Sequence, residues 1–153
     1  MENKKALSFK EAQIRNAIGA LEAELGKYPP LHFSLKHTFT EGVYCREIFI
    51  PAGSAIVGKI HRHAHFNFIS KGDVTVITKD GIKRLQGPCT MVSSAGTKRA
   101  LYAHADTVWT TIHANPTNET DLEKLEEAII AETYEALEHE SLDVVGYLRG
   151  DLQ

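Results

Sequence analysis

The stretch GKIHRHAHFNFISKG, Gly58–Gly72, sets a histidine at every second position and follows them with an asparagine in the same phase. Successive side chains of a strand point to opposite faces, so His61, His63, His65 and Asn67 share one side. Ile60, Arg62, Ala64, Phe66 and Phe68 take the other. Such a row either faces water or lines a cavity.

Working outward, the neighbouring segments repeat the same short alternating pattern. GVYCREIFI, residues 42–50, precedes the row, and DVTVIT, IKRLQ, CTMVSS, KRALYA and TVWTTIHA follow it between residues 73 and 114. Gly and Pro punctuate them at Pro51-Ala52-Gly53, Lys71-Gly72, Gly87-Pro88 and Ala95-Gly96, and Asp80-Gly81 between two alternating runs is a hairpin signal. Many short strands at regular spacing predict an all-β sandwich or barrel.

Helical signals flank this region. Ser8 with Glu11 forms a capping-box pattern, Ile14, Ile18, Leu21 and Leu25 recur at helical spacing, and Gly26 with Pro29-Pro30 ends the run, which predicts a helix over about residues 8–26. Thr120 with Glu123 makes a second capping pattern. The following stripe of Leu122, Leu125, Ile129, Thr133 and Ala136 predicts a helix that packs on the outside of the barrel or against a second subunit. The chain divides into a helical segment at 1–30, a β unit at 31–116 and a C-terminal helical segment at 117–153.

A chain of 153 residues suffices for one compact core. A formal charge of −3 without a basic tract argues against nucleic acid as a partner. No apolar run approaches bilayer length, and the first residues lack the apolar stretch of a secretion signal, so no membrane association and a cytoplasmic location are expected. Cys45 and Cys89 are far apart and outside any C-x-x-C pair, which leaves reduced thiols as the expectation.

The order of parts resembles the cupin superfamily, and most closely its small single-domain members from phage and bacterial genomes. The first cupin motif, Gly, His-x-His, Glu, Gly, is matched by Gly53 or Gly58, His61, His63 and Gly72; the second is matched by Gly87, Pro88, Gly96 and, where the family has its third histidine, Arg99. The resemblance covers about residues 40–115 and implies a mainly β, cupin-type jelly-roll barrel with an N-terminal and a C-terminal helix. It also implies a divalent transition metal (Fe, Mn, Ni or Zn) and a small-molecule ligand, anionic if Arg99 faces inward.

The departures are specific. Asn67 stands in place of the family's glutamate, offering only an amide oxygen, and Arg99 has no lone pair to give. Same-face neighbours on a strand are about 6.5–7 Å apart, so His61 and His63 can converge on one ion while His61 and His65 stand about twice as far apart. His113, His104 and Tyr102 in the last two strands are candidates to complete the set, and a bulge at Ala64 is the alternative that brings His65 in. The metal expectation is therefore His61, His63, His104 and His113, with Arg99, Asn67 and His65 for the ligand and Tyr102 and Arg99 for catalysis. Against this stands a cupin whose histidines only wall the pocket, and for Arg99 an ion pair with Glu47 or Asp73.

Trp109, Phe66, Phe68 and Phe49 are read as core, filling the space between sheets. Oxygenase, isomerase and lyase activities all suit this pattern, as does a non-catalytic binding or assembly module. An edge strand at residues 43–50 would present unpaired backbone groups and predicts a homodimer.

Overall fold

The computed structural model describes residues 7–79 and 81–137; Asp80 and the C-terminal tail considered above lie outside the described residues. Helix α1, Phe9–Leu25, begins at the Ser8 N-cap with the full reciprocal capping box to Glu11 and ends at Gly26. Ten strands follow: β1 (Ser34–Thr40), β2 (Gly42–Ile50), β3 (Ala55–Val57), β4 (Ile60–His61), β5 (His65–Lys71), β6 (Asp73–Thr78), β7 (Gly81–Gln86), β8 (Cys89–Ser93), β9 (Ala100–Ala103) and β10 (Thr107–Asn115). Helix α2, Leu122–Ile129, leads directly into β11, Ile130–Ala131.

Antiparallel pairing assembles a five-stranded sheet, β1-β2-β10-β5-β8, and a four-stranded sheet, β3-β9-β6-β7. Their facing sides share one core of Ile50, Ile69, Val74, Val76, Ala103 and Trp109. Burying each aliphatic side chain of that set contributes about 1.5–3 kcal/mol. The architecture is mainly β, with α1 before and α2 after the sheets.

The histidine row does not form the single strand that its alternation predicts. Residues 55–71 break into β3, β4 and β5, which belong to three different sheets. Contacts from later in the chain accompany the breaks. The Gly58 amide bonds to the Arg99 carbonyl at 2.8 Å, one step past the last β3–β9 pair, Val57 with Ala100. At Arg62 the backbone amide bonds to Ile129 and the side-chain Nε donates to the Glu127 and Ile130 carbonyls, so the chain bends there before β5 begins. β4 pairs with β11, opposing His61 to Ile130.

Three other expectations are corrected. The strand at 42–50 is not an edge, because β1, which the alternation left unread, covers it on one side and β10 on the other, so the homodimer loses that support. Phe66, Phe68 and Phe49 are exposed rather than core: in β5 the inward phase belongs to His65, Asn67 and Ile69, and an alternating strand cannot bury both faces. Trp109 is buried as read. The N-cap of α2 is Asp121, whose carboxylate accepts from the amides of Glu123 and Lys124, rather than Thr120. Leu125 and Ile129 are buried against Tyr44 and Phe39, but the helix stops at Ile129, so Thr133 and Ala136 do not extend its stripe.

One glycine is fixed by geometry. Gly72, between β5 and β6, has φ +138°, and a Cβ there would lie within 2.7 Å of the Cβ and Cγ2 of fully buried Thr107. Gly72→Ala should lower unfolding stability by about 2–4 kcal/mol through clash and backbone strain. Urea denaturation measures it, and a change below about 0.5 kcal/mol would refute the account.

Candidate functional site

The bend at Arg62 decides which histidines meet. With β4 and β5 in separate sheets, His61 and His65 are no longer two steps along one strand, and their ring centroids lie 4.2 Å apart. His113, from the middle of the five-stranded sheet, completes the group at 5.5 Å from His61 and 4.8 Å from His65. Tyr44 and His37 continue the stack outward from His113, with a 2.6 Å hydrogen bond between Tyr44 Oη and His37 Nδ1.

His63 sits on the bend itself and is exposed, outside this group. Its carbonyl oxygen is used: it lies 3.2 Å from Nδ1 of His65. A proton on that Nδ1 leaves the His65 Nε2 lone pair available. His104 and Tyr102 are likewise outside. Both are exposed on the outer side of the four-stranded sheet, where His104 bonds to Thr75 Oγ1 at 2.7 Å and packs edge-on against Tyr102. Tyr102 pairs with Thr75 and Ala55 on its strand, in the phase opposite to buried Ala103. The structure thus does not bring His63, His104 and Tyr102 together with the ring group, and the shared cause is strand phase and the break in the row.

Arg99 faces inward. Its Nη1 donates to Ser93 Oγ, and neither Glu47 nor Asp73 meets it; Asp73 instead takes the paired donors of Arg84 at 2.8 Å. Asn67 is fully buried and hydrogen-bonded at both ends, giving Nδ2 to Ser93 Oγ at 2.7 Å and accepting from Trp109 Nε1 at 3.0 Å. Its amide oxygen is thus committed to the indole, and Asn67 serves to hold Ser93 in place under Arg99.

These residues line a cavity of about 110 Å³ between the sheets, walled by Ile48, Ile50, Ile56, Leu101 and Trp109 and bearing His61, His65, Arg99 and Arg46. Arg46 went unremarked in the sequence reading. The signal was present, since in β2 it shares the phase of Tyr44, Ile48 and Ile50, and an arginine in an otherwise apolar inward phase calls for a partner.

Electrostatics follow from burial. Desolvation, reinforced by the charges of His65 and Arg46, pushes His61 down to about 4. The same causes, with His61 added, push His113 down to about 3. Burial and the Arg99 charge lower His65 too, against the hydrogen bond to the His63 carbonyl. The imidazoles are accordingly neutral at cellular pH, which is the form that donates a lone pair. Burial also lowers the Arg46 and Arg99 guanidiniums.

Among the described residues, no three His, Cys, Asp or Glu side chains stand ready arranged around a metal ion. Three imidazoles, those of His61, His65 and His113, do meet, with His65 Nδ1 against the His63 carbonyl. The rings lie stacked, with interplanar angles of 8–33°. An ion would require them to turn edge-on so that three nitrogens share a point at about 2.1 Å.

No protein-family model matches the chain, and no curated protein sequence does. Solved structures do. An ectoine synthase from P. lautus superimposes with a TM-score of 0.52 at 12% identity, over 69% of this chain and 81% of that one. A cupin superfamily protein from Desulfitobacterium hafniense gives 0.49 at 12% identity, over 60% and 85%. A cupin-2 domain protein from Shewanella frigidimarina gives 0.46 at 10%, over 62% and 92%. The chain shares its mainly β fold with the P. lautus structure. Among the described residues no helix is long and apolar enough to cross a membrane.

Proposed function

We propose that this protein binds a small anionic molecule in its cupin pocket beside a divalent transition-metal ion, Fe, Mn, Ni or Zn, held by His61, His65 and His113. The observation that carries this reading is the meeting of three imidazoles from three separate strands, all kept neutral by burial. Lewis-acid polarisation of a ligand oxygen at open coordination positions is the chemistry such an ion supplies.

The chain's own residues would do the rest. Arg46 and Arg99 supply positive charge for the ligand, and the Trp109–Asn67–Ser93 chain of hydrogen bonds fixes Arg99 from behind. Ile48, Ile50 and Leu101 exclude water from the cavity wall. An oxygenase, isomerase or lyase reaction fits this arrangement.

A second reading has its own observation. The stacked rings and the adjacent guanidiniums suit a non-catalytic pocket that binds an anion without metal. Metal analysis separates the two: protein purified without a histidine tag and dialysed against zinc should retain close to one ion per chain. Retention of none would leave the binding module as the function.

A further inference from the structure

Arg46 and Arg99 enter the same cavity from β2 and from the loop before β9. Among the described residues its lining includes Arg46, Lys59 and Arg99 but no Asp or Glu, and Lys59 is turned away to Glu126. Arg99 spends Nη1 on Ser93, while its Nε is buried with no partner among the described residues. Ser93 gives no charge in return, because its hydroxyl oxygen already accepts from both Asn67 and Arg99.

A buried cation without an anion costs several kcal/mol, so two in one cavity favour whatever supplies negative charge. Guanidinium is a flat fork of parallel N–H donors, and a carboxylate is the flat acceptor that matches it. Beside the polar lining of His61, His65, Asn67, Thr97 and Thr111, one part of the wall, Ile48, Ile50, Ile56 and Leu101, is aliphatic. Inorganic phosphate would leave that surface without a partner, whereas an acid with an apolar tail satisfies both ends. Volume sets the length. A cavity of about 150 Å³ takes benzene, and this one is about 110 Å³.

We propose that Arg46 and Arg99 form a clamp for a short-chain carboxylate, with a tail of about two to four carbons lying against Ile48, Ile56 and Leu101. The proposal rests on the reading of this cavity as a small-molecule site but does not require the metal.

Trp109 is the chain's one tryptophan and lines the cavity, so its fluorescence reports occupancy. Chelator-treated full-length protein should show a saturable change with propionate. With the uncharged isostere propionamide, and with inorganic phosphate, binding should be at least about tenfold weaker, the loss expected when a charge-assisted pair is removed. Arg46→Gln and Arg99→Gln should each weaken propionate by about tenfold or more, and Arg99→Lys, which keeps charge and loses the fork, by less. Propionate failing to bind the parent, or propionamide or phosphate binding as well as propionate, overturns the clamp, and neither comparison depends on a variant folding. The same titration with zinc present keeps the two readings apart. Propionate bound without any zinc uptake removes the metal and leaves the clamp, while zinc bound without propionate does the reverse.

Discussion

Zinc affinity should fall by more than about a hundredfold in His113→Ala, His61→Ala and His65→Ala proteins, because even residues that only orient a metal ligand are worth 10–100-fold. His63→Ala and His104→Ala should stay within about threefold of the parent, because both side chains are exposed and only the backbone carbonyl of His63 contributes. This ordering departs from the one the sequence suggests, where His61 and His63 are the pair and His65 is peripheral. Competition against a chromophoric chelator gives the affinities, and thermal melts confirm that each variant folds. A His63→Ala loss as large as that of His113→Ala would sink the assignment.

The metal-free protein should be markedly acid-sensitive above the range where its carboxylates protonate. His113 is 6% exposed and held at about 3, and His61 at about 4, whereas an unfolded histidine titrates near 6.5. Folded pKa values below unfolded ones mean that the unfolded chain binds more protons as pH falls. Stability is therefore complete above about pH 6.5 and declines through the window down to about 3. Between pH 7 and pH 4, the His113 difference alone corresponds to on the order of 3 kcal/mol, and because the rings are in contact the measured loss belongs to the cluster. Asp73, lowered from its ordinary 3.8 to about 2 chiefly by its Arg84 hydrogen bonds, loses its contribution between those values, below the pH 4 end of the comparison. Urea unfolding with chelator at pH 7 and pH 4 tests the prediction, with His113→Gln as the comparison. Equal pH dependence in parent and variant would count against it.

How far the sequence could be read depended on whether a feature was local. Ser8, Glu11 and Gly26 specify α1 through contacts within a turn, and the hairpin ahead of Gly81 is specified the same way, so both were legible. The cupin order of strands was legible too, because turn chemistry at Gly53, Gly72, Gly87 and Gly96 punctuates it. The break at Arg62 was not. Its cause is a set of carbonyls at residues 127–130, far along the chain, and no alternation within residues 58–72 carries that information. Alternation alone therefore groups His61 with His63, whereas the structure brings His61 together with His65 and leaves His63 exposed. Arg99 was traced to the pocket through its motif position, but Arg46 needed β2 to be recognised as an interior strand, which required seeing β1 first.

The pairing of β4 with β11 bears on the order in which the chain is made. Arg62 and Ile130 are 68 residues apart, and the backbone of His61, which bonds to Gly96 and Thr97, gains its strand partner in that late segment. Synthesis delivers about 5–20 residues per second, so a nascent chain carries Arg62 for several seconds before the carbonyls of residues 127–130 that it bonds to emerge. Both large sheets can close during that interval, since β1, β2 and β10 all precede α2. The β4–β11 pairing is then made last, after translation has passed residue 131, by a short strand added to a frame whose cavity-lining residues have all been made already.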